Sequence, residues 1–172
     1  MKKVLSTILA VVLLVTGAVE MTGCKRVPKD WYKGALEYYG NGIKNGFDDE
    51  NQNLNVSDEL KNPAYKKGYL IRDLDGDGTD ELLIGLIEDG SSYTRFTNVV
   101  VFQTGVGTFS KLSGGNGYYI YLCASEVLRV DSWYGSKTEM RYMTYDSKDA
   151  CFVIIDGEGK YLPMKWELTP FE

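Results

Sequence analysis

The residues best suited to chemistry are five carboxylates crowded into the nine positions 73–81. They are Asp73, Asp75, Asp77, Asp80 and Glu81. Carboxylates held this close repel one another unless a cation lies between them, and a hard cation such as Ca²⁺ prefers oxygen ligands. Glycines at positions 76 and 78 let the backbone adopt the turns that direct oxygens inward. The segment therefore predicts a calcium-binding loop.

The segments on either side of this loop predict buried strands. Residues 69–71 are apolar before it, and residues 82–87 form a second apolar run with one glycine after it. Short apolar runs bounded by turn residues are typical of strands that are buried on both faces. An EF-hand is excluded because it needs helical flanks and a Glu at loop position 12, where this chain has Ile84. We therefore expect a hairpin with the acidic loop at its tip.

This pattern resembles the Asp-x-Asp-x-Asp-Gly-x-x-Asp hairpin loops of FG-GAP and integrin-type propeller repeats. The resemblance implies five ligands, which are the side chains of Asp73, Asp75 and Asp77, the carbonyl of Thr79, and Glu81 in the ninth position, where those repeats usually have Asp. Asp80 is expected to face water. The alternative interpretation is an Asp- and Gly-rich turn without a metal.

The amino terminus predicts export and lipid anchoring. Lys2 and Lys3 precede an apolar run at 4–15, which is too short for a membrane span and suits a signal peptide. The run leads to Met21-Thr22-Gly23-Cys24, which resembles the lipobox of bacterial lipoproteins. That resemblance implies that residues 1–23 are a signal peptide and that acylated Cys24 anchors the protein to membrane lipid on the extracytoplasmic face. Ordinary secretion and an uncleaved anchor are the alternatives.

The remaining chain predicts a lipidated tether at 24–29 and a single α+β domain, mainly β, at 30–172. Asp30 is a suitable helix N-cap, and the apolar residues after it recur at helical spacing. We expect this helix to pack on an antiparallel β-meander of propeller-blade-like hairpins. Turn residues recurring every eight to twelve positions separate the later predicted strands, which are 95–103, 108–112, 118–123, 126–133, 138–145, 151–155 and 160–168.

Several kinds of chemistry are excluded or unsupported. The chain has no histidine, which removes Ser-His-Asp catalysis and histidine-ligated zinc. Its net charge of −5 and lack of a basic stripe argue against nucleic acid as a partner. No spacing selects a pair of acid and base carboxylates. We therefore predict a protein that is not an enzyme, and a small carboxylate-dependent hydrolase is the least favoured reading.

The most favoured function is a binding or interaction module with a structural calcium ion, and the alternative is a carbohydrate- or cell-wall-binding module. Aromatic residues of the strand-rich half could stack on sugars, although tyrosine also suits strands for packing alone. They are Tyr118, Tyr119, Tyr121, Trp133, Tyr134, Tyr142 and Tyr145.

Cys123 and Cys151 could form a disulfide or remain two separate thiols.

Overall fold

The computed structural model describes residues 29–47, 56–103, 107–115 and 117–172. The predicted signal peptide, its lipobox and the acylation site Cys24 lie outside these ranges. Within them the chain forms two helices, α1 (Lys29–Asn45) and α2 (Asp58–Lys61), and nine strands. The strands are β1 (Lys66–Arg72), β2 (Glu81–Ile87), β3 (Arg95–Gln103), β4 (Gly107–Ser113), β5 (Tyr118–Leu122), β6 (Leu128–Tyr134), β7 (Lys137–Asp146), β8 (Cys151–Ile155) and β9 (Thr169–Pro170).

The strands form one antiparallel sheet, which confirms the predicted α+β class with mainly β structure. Their order is β8-β7-β6-β5-β3-β2-β1-β9, and β4 pairs with β3 outside this path. Strand β3 pairs with three strands. Strand β2 occupies one of its edges, and on the other edge β4 pairs along 98–103 and β5 pairs at 95–96. A strand has only two edges, so β4 and β5 follow each other along the same edge.

The β1–β2 hairpin contributes the buried strand β2 to the centre of the sheet. Its register runs from Lys66 opposite Ile87 to Arg72 opposite Glu81. Alternate side chains of β2 enter different clusters: Leu83 packs with β3 and β5, while Leu82 and Ile84 pack with α1 and α2. Full burial of each such side chain stabilises the fold by about 1.5–3 kcal/mol. The predicted burial on both faces is confirmed for β2 and is wrong for β1, in which Ile71 is exposed and Tyr69 and Leu70 are half-buried.

Helix α1 packs on the sheet through the apolar face expected from its sequence. Ala35 and Tyr39 are buried, and Tyr38 and Phe47 pack beside them. The helix begins at Lys29, so Asp30 lies in its first turn rather than at the N-cap position predicted for it.

The strand predicted at 160–168 is wrong. Of this segment, Pro163 alone pairs, in an isolated bridge to Cys123, and the last strand is the short β9 beside β1. Proline has no backbone N–H for a ladder. The segment is held by isolated backbone bonds at Met164, which accepts from the Thr94 N–H at 3.0 Å and donates to the Leu122 carbonyl at 3.2 Å. Side-chain bonds also hold it: Trp166 donates its backbone N–H to Thr94 Oγ1 at 2.7 Å, and its indole Nε1–H to the Leu122 carbonyl at 3.0 Å.

Candidate metal centre

The β1–β2 hairpin brings three of the predicted ligands together at its tip. Carboxylate oxygens of Asp73, Asp75 and Asp77 lie within 4.8 Å of one another. The first two side chains are half-buried and the third is exposed. The pairing of Arg72 with Glu81 ends the ladder, so that residues 73–80 form the connection between the two paired strands.

Hydrogen bonds from the loop backbone hold the aspartate side chains in this arrangement. Asp73 accepts from the Gly76 and Gly78 N–H groups at 2.7 and 2.9 Å, one at each carboxylate oxygen. Asp77 accepts from the Thr79 N–H at 2.7 Å. The two glycines have φ of 76° and 84°, a region that other residues rarely adopt. The loop is therefore ordered around its own carboxylates, as predicted from the positions of the glycines.

Glu81 lies beneath the loop and is 1% exposed. Its Oε2 accepts a hydrogen bond from the Leu74 N–H at 2.9 Å. The pKa of Glu81 is raised to about 8. Burial is the main cause and the charges of the three clustered aspartates add to it, whereas the hydrogen bond from Leu74 lowers the pKa. Ligation by Glu81, and by the carbonyl of Thr79, stays a prediction. Asp80 is exposed, as expected.

One contact to the loop was missed by the sequence reading. The Ser147 N–H, in the turn between β7 and β8, donates to Asp75 Oδ2 at 2.9 Å. The two residues are 72 positions apart, and a backbone N–H leaves no trace in the amino-acid pattern. Next to this turn, burial raises the pKa of Tyr145 to about 12, and the loop carboxylates add to that shift. The acidic loop is thus tied to a distant part of the sheet.

The donor set fits a hard metal ion. Two ligands of one Ca²⁺ ion, each about 2.4 Å from it, can be at most about 4.8 Å apart, and the aspartate oxygens all lie within 4.8 Å of one another. All three donors are carboxylates, a ligand type that suits calcium, magnesium and manganese. The three aspartates could therefore bind a metal ion, and the geometry alone does not select among these ions.

The aromatic residues of the strand-rich half divide between core and surface. Tyr142 and Tyr145 are each 5% exposed, whereas Trp133 and Tyr134 are 58% and 55% exposed. Tyr119 and Tyr121 are half-buried, and Tyr118 is exposed.

Cys123 is buried and Cys151 is exposed, and both are free thiols. The question of a disulfide between them is therefore answered in favour of two separate thiols.

Comparisons with known proteins give no relative from which a role could be transferred. No protein-family model matches the chain, and no curated protein or solved structure is significantly similar to it. Among the described residues, no helix combines the length and apolar character needed to cross a bilayer.

Proposed function

We propose that this protein is an exported, lipid-anchored binding domain whose acidic loop holds a structural calcium ion. The observation that carries the calcium assignment is the cluster of Asp73, Asp75 and Asp77 at the tip of the buried β1–β2 hairpin. Calcium tolerates irregular shells of six to eight oxygens, whereas magnesium demands a near-ideal octahedron. A loop that supplies three carboxylates, with Thr79 and Glu81 close by, suits the more permissive ion.

A structural role for the ion follows from what the loop connects. The loop joins β1 to the buried strand β2 and receives a hydrogen bond from Ser147 on the β7–β8 turn. An ion that neutralises the clustered carboxylates would stabilise these contacts together. We therefore assign the ion to stability of the fold and not to Lewis-acid chemistry.

Thermal unfolding with and without chelator tests the calcium assignment. A ligand at 100 times its Kd stabilises the folded state by about 2.7 kcal/mol, which corresponds to a rise of about 5–11 °C for a domain of this size. We expect calcium to raise Tm by such an amount over the chelated protein, and an equal concentration of magnesium to raise it less. An unchanged Tm in calcium would refute the assignment.

Binding, rather than hydrolysis, is the proposed activity. A cleft of about 370 Å³ between β7 and β8 contains Glu139, Asp156 and Glu158, which are the carboxylates available to a hydrolase. Glu139 is paired with Arg141 at 3.0 and 3.1 Å, and Asp156 with Lys160 at 3.2 Å. Both carboxylates are solvent-exposed and neutralised by a neighbour, which does not favour a general acid or a nucleophile.

A carbohydrate- or cell-wall-binding module is the second candidate. Exposed aromatic rings on the strand-rich half, with Trp133 the most exposed, favour it. Anchoring through Cys24 would place such a module at the outer face of the membrane, where cell-wall glycans are within reach.

A further inference from the structure

Alternation along β5 and β6 places aromatic and charged side chains on one face of the sheet. In the register, Tyr119 is opposite Asp131, and Tyr121 is opposite Arg129. The intervening residues Ile120, Leu122 and Leu128 enter the core from the other face. Strand β3 extends the first face because Arg95 is opposite Tyr121.

A cleft of about 410 Å³ lies on this face. Tyr119 and Tyr121 line it from β5, Asp131 and Trp133 from β6, and Tyr93, Arg95 and Glu88 from β3 and the turn before it. Its volume falls within the usual range for small-ligand sites. The cleft runs along β5. One end lies near Trp133, whose backbone N–H donates to the Gly117 carbonyl just before β5, and the other end lies near Tyr121. Four residues at about 3.3 Å each span about 13 Å, which exceeds one sugar ring.

The charges in the cleft cancel in pairs. Glu88 accepts from Arg95 Nη2 at 2.7 Å. Arg129 lies beside the cleft and binds Asp131 through two hydrogen bonds of 2.7 Å each. A carboxylate has more acceptor sites than one arginine fills, so each pair can still accept hydrogen bonds from a ligand. The cleft therefore combines ring faces, donors and acceptors without a net charge that would select an ion.

Arg95 provides an unused donor at this site. Its guanidinium lies over the Tyr119 ring, with Cζ 5.2 Å from the ring centroid. Its Nε is fully buried and has no acceptor among the residues that the structure describes. A buried donor without a partner is unfavourable, and a hydroxyl or carbonyl oxygen of a ligand that reached it would satisfy it.

We propose that this cleft binds a short neutral oligosaccharide. Trp133 and Tyr93, which are 58% and 46% exposed, provide rings at its two ends for sugar faces. Glu88, Arg95 and Asp131 provide acceptors and donors for hydroxyl groups between them. The inference rests on the proposed binding role and names its ligand class and its site, but it does not depend on the calcium loop.

Neighbouring clefts lack this combination. The cleft between β7 and β8 contains one aromatic ring, that of Tyr142. Another cleft, of about 410 Å³, has Trp166 as its one ring, and that indole already donates to the Leu122 carbonyl. Of these three clefts, all formed by described residues, the one along β5 therefore combines exposed ring faces with unused polar groups.

Calorimetric titration of the full-length protein tests the proposal, in a detergent without a sugar headgroup and with calcium present. The probes are chitotetraose, cellotetraose and maltotetraose, each at up to about 5 mM. We expect at least one to bind, and Trp133→Ala to weaken that binding by about tenfold or more. The matched control is Tyr134→Ala, because Tyr134 is as exposed as Trp133, is next to it in β6 and faces the other side of the sheet.

Two results would overturn the proposal: binding of no probe by the wild-type protein, or equal weakening by the two variants. Thermal unfolding of the same samples separates this test from that of the calcium loop. If no sugar binds while the calcium-dependent rise in Tm is intact, the oligosaccharide site alone is refuted. If sugar binding depends on Trp133 while calcium leaves Tm unchanged, the calcium role alone is refuted.

Discussion

Asp75 is a loop carboxylate that contacts a distant part of the chain. It belongs to the carboxylate cluster, and its two oxygens accept from the Asp77 N–H at 3.2 Å and the Ser147 N–H at 2.9 Å. Asn at this position keeps one acceptor oxygen but removes the negative charge. We expect Asp75→Asn to weaken calcium binding by about tenfold or more, because a charged ligand is lost.

Asp80→Asn is the control for this prediction. Asp80 lies in the same loop but is exposed and outside the cluster, so the change in net charge is identical. Its effect on the Kd for calcium, measured by calorimetry, should be less than about threefold. Equal losses of affinity in the two variants would mean that the loop attracts calcium only through its overall charge.

The two described cysteines should differ in reactivity. Cys123 is buried, and burial raises the pKa of its thiol to about 11, whereas Cys151 is exposed. At pH 8, about one in a thousand Cys123 thiols would be ionised, and the thiolate is the reactive form. With Cys24→Ser as background, an aromatic disulfide reagent should titrate one thiol promptly and the second only after denaturation.

Cys151→Ser should remove the prompt reaction and leave the slow one. Prompt reaction of both thiols in the folded protein would contradict the buried position of Cys123. Because higher pH ionises the thiol, the slow reaction should accelerate as pH rises toward 11 and not as it falls.

The spacing of the residues was enough to predict the aspartate cluster, because alternating Asp and Gly residues determine both the turn and its oxygen ligands without help from the rest of the chain. The contact from Ser147 was beyond reach because it depends on where a distant turn lies. The rings of Tyr119 and Tyr121 were candidates from the sequence, but Arg95 and Glu88 were not. Only the pairing of β3 with β5 shows that these charged groups lie beside the rings.

At the scale of elements, two glycines should respond in opposite directions to alanine. A Cβ at Gly68 in β1 would lie 2.8 Å from the Thr169 carbonyl oxygen and 2.9 Å from Leu168 Cβ, closer than packed atoms allow. Gly68→Ala should therefore lower the unfolding free energy by about 1–3 kcal/mol. A Cβ at Gly34 in α1 meets nothing within 4 Å, so Gly34→Ala should raise it by about 0.5–1 kcal/mol.

Urea unfolding of both variants in saturating calcium measures these changes. The pair shares one chemical substitution, so differences in the unfolded chain largely cancel. A Gly68→Ala protein as stable as the wild type would show that β9 does not pack against β1 as closely as the structure has it.

Most strands were predictable because turn residues and apolar runs mark them locally. The pairing of both β4 and β5 with one edge of β3 was not predictable, because their sequences do not show which strand each will pair with. The strand prediction for the segment 160–168 was wrong because its apolar residues suit a strand. Pro163 and the hydrogen bond to the Thr94 side chain instead hold the segment in irregular structure.

At the scale of the whole molecule, the sheet must curl. Strands β2 and β7 are four steps apart in the sheet order, which is about 19 Å in a flat sheet. Yet the loop after β1 receives a hydrogen bond of 2.9 Å from the turn after β7. The core cluster likewise joins Leu83 of β2 to Met143 and Tyr145 of β7. The candidate calcium loop therefore lies where two distant parts of the sheet meet, which explains why an ion there would stabilise the entire domain.

Anchoring is the remaining prediction at this scale, and it concerns Cys24, outside the described residues. Acylation at one Cys with two chains gives stable membrane attachment, since each buried CH₂ contributes about 0.8 kcal/mol. In a bacterial host we expect the wild-type protein in the membrane fraction and Cys24→Ala released from it. The released variant should keep the Tm and calcium response of the wild type, because the core clusters and the aspartate cluster are formed by residues from Ala35 onward.

Fractionation with mass spectrometry of the amino-terminal peptide distinguishes the alternatives. A wild-type protein that is soluble and cleaved would indicate ordinary secretion, and Cys24→Ala retained in the membrane with residues 1–23 attached would indicate an uncleaved anchor. Because α1 begins at Lys29, few residues separate the acylated Cys from the folded domain. Lipidation would therefore hold the domain close to the bilayer, and released and anchored forms should have the same affinity of the proposed cleft for a free tetrasaccharide.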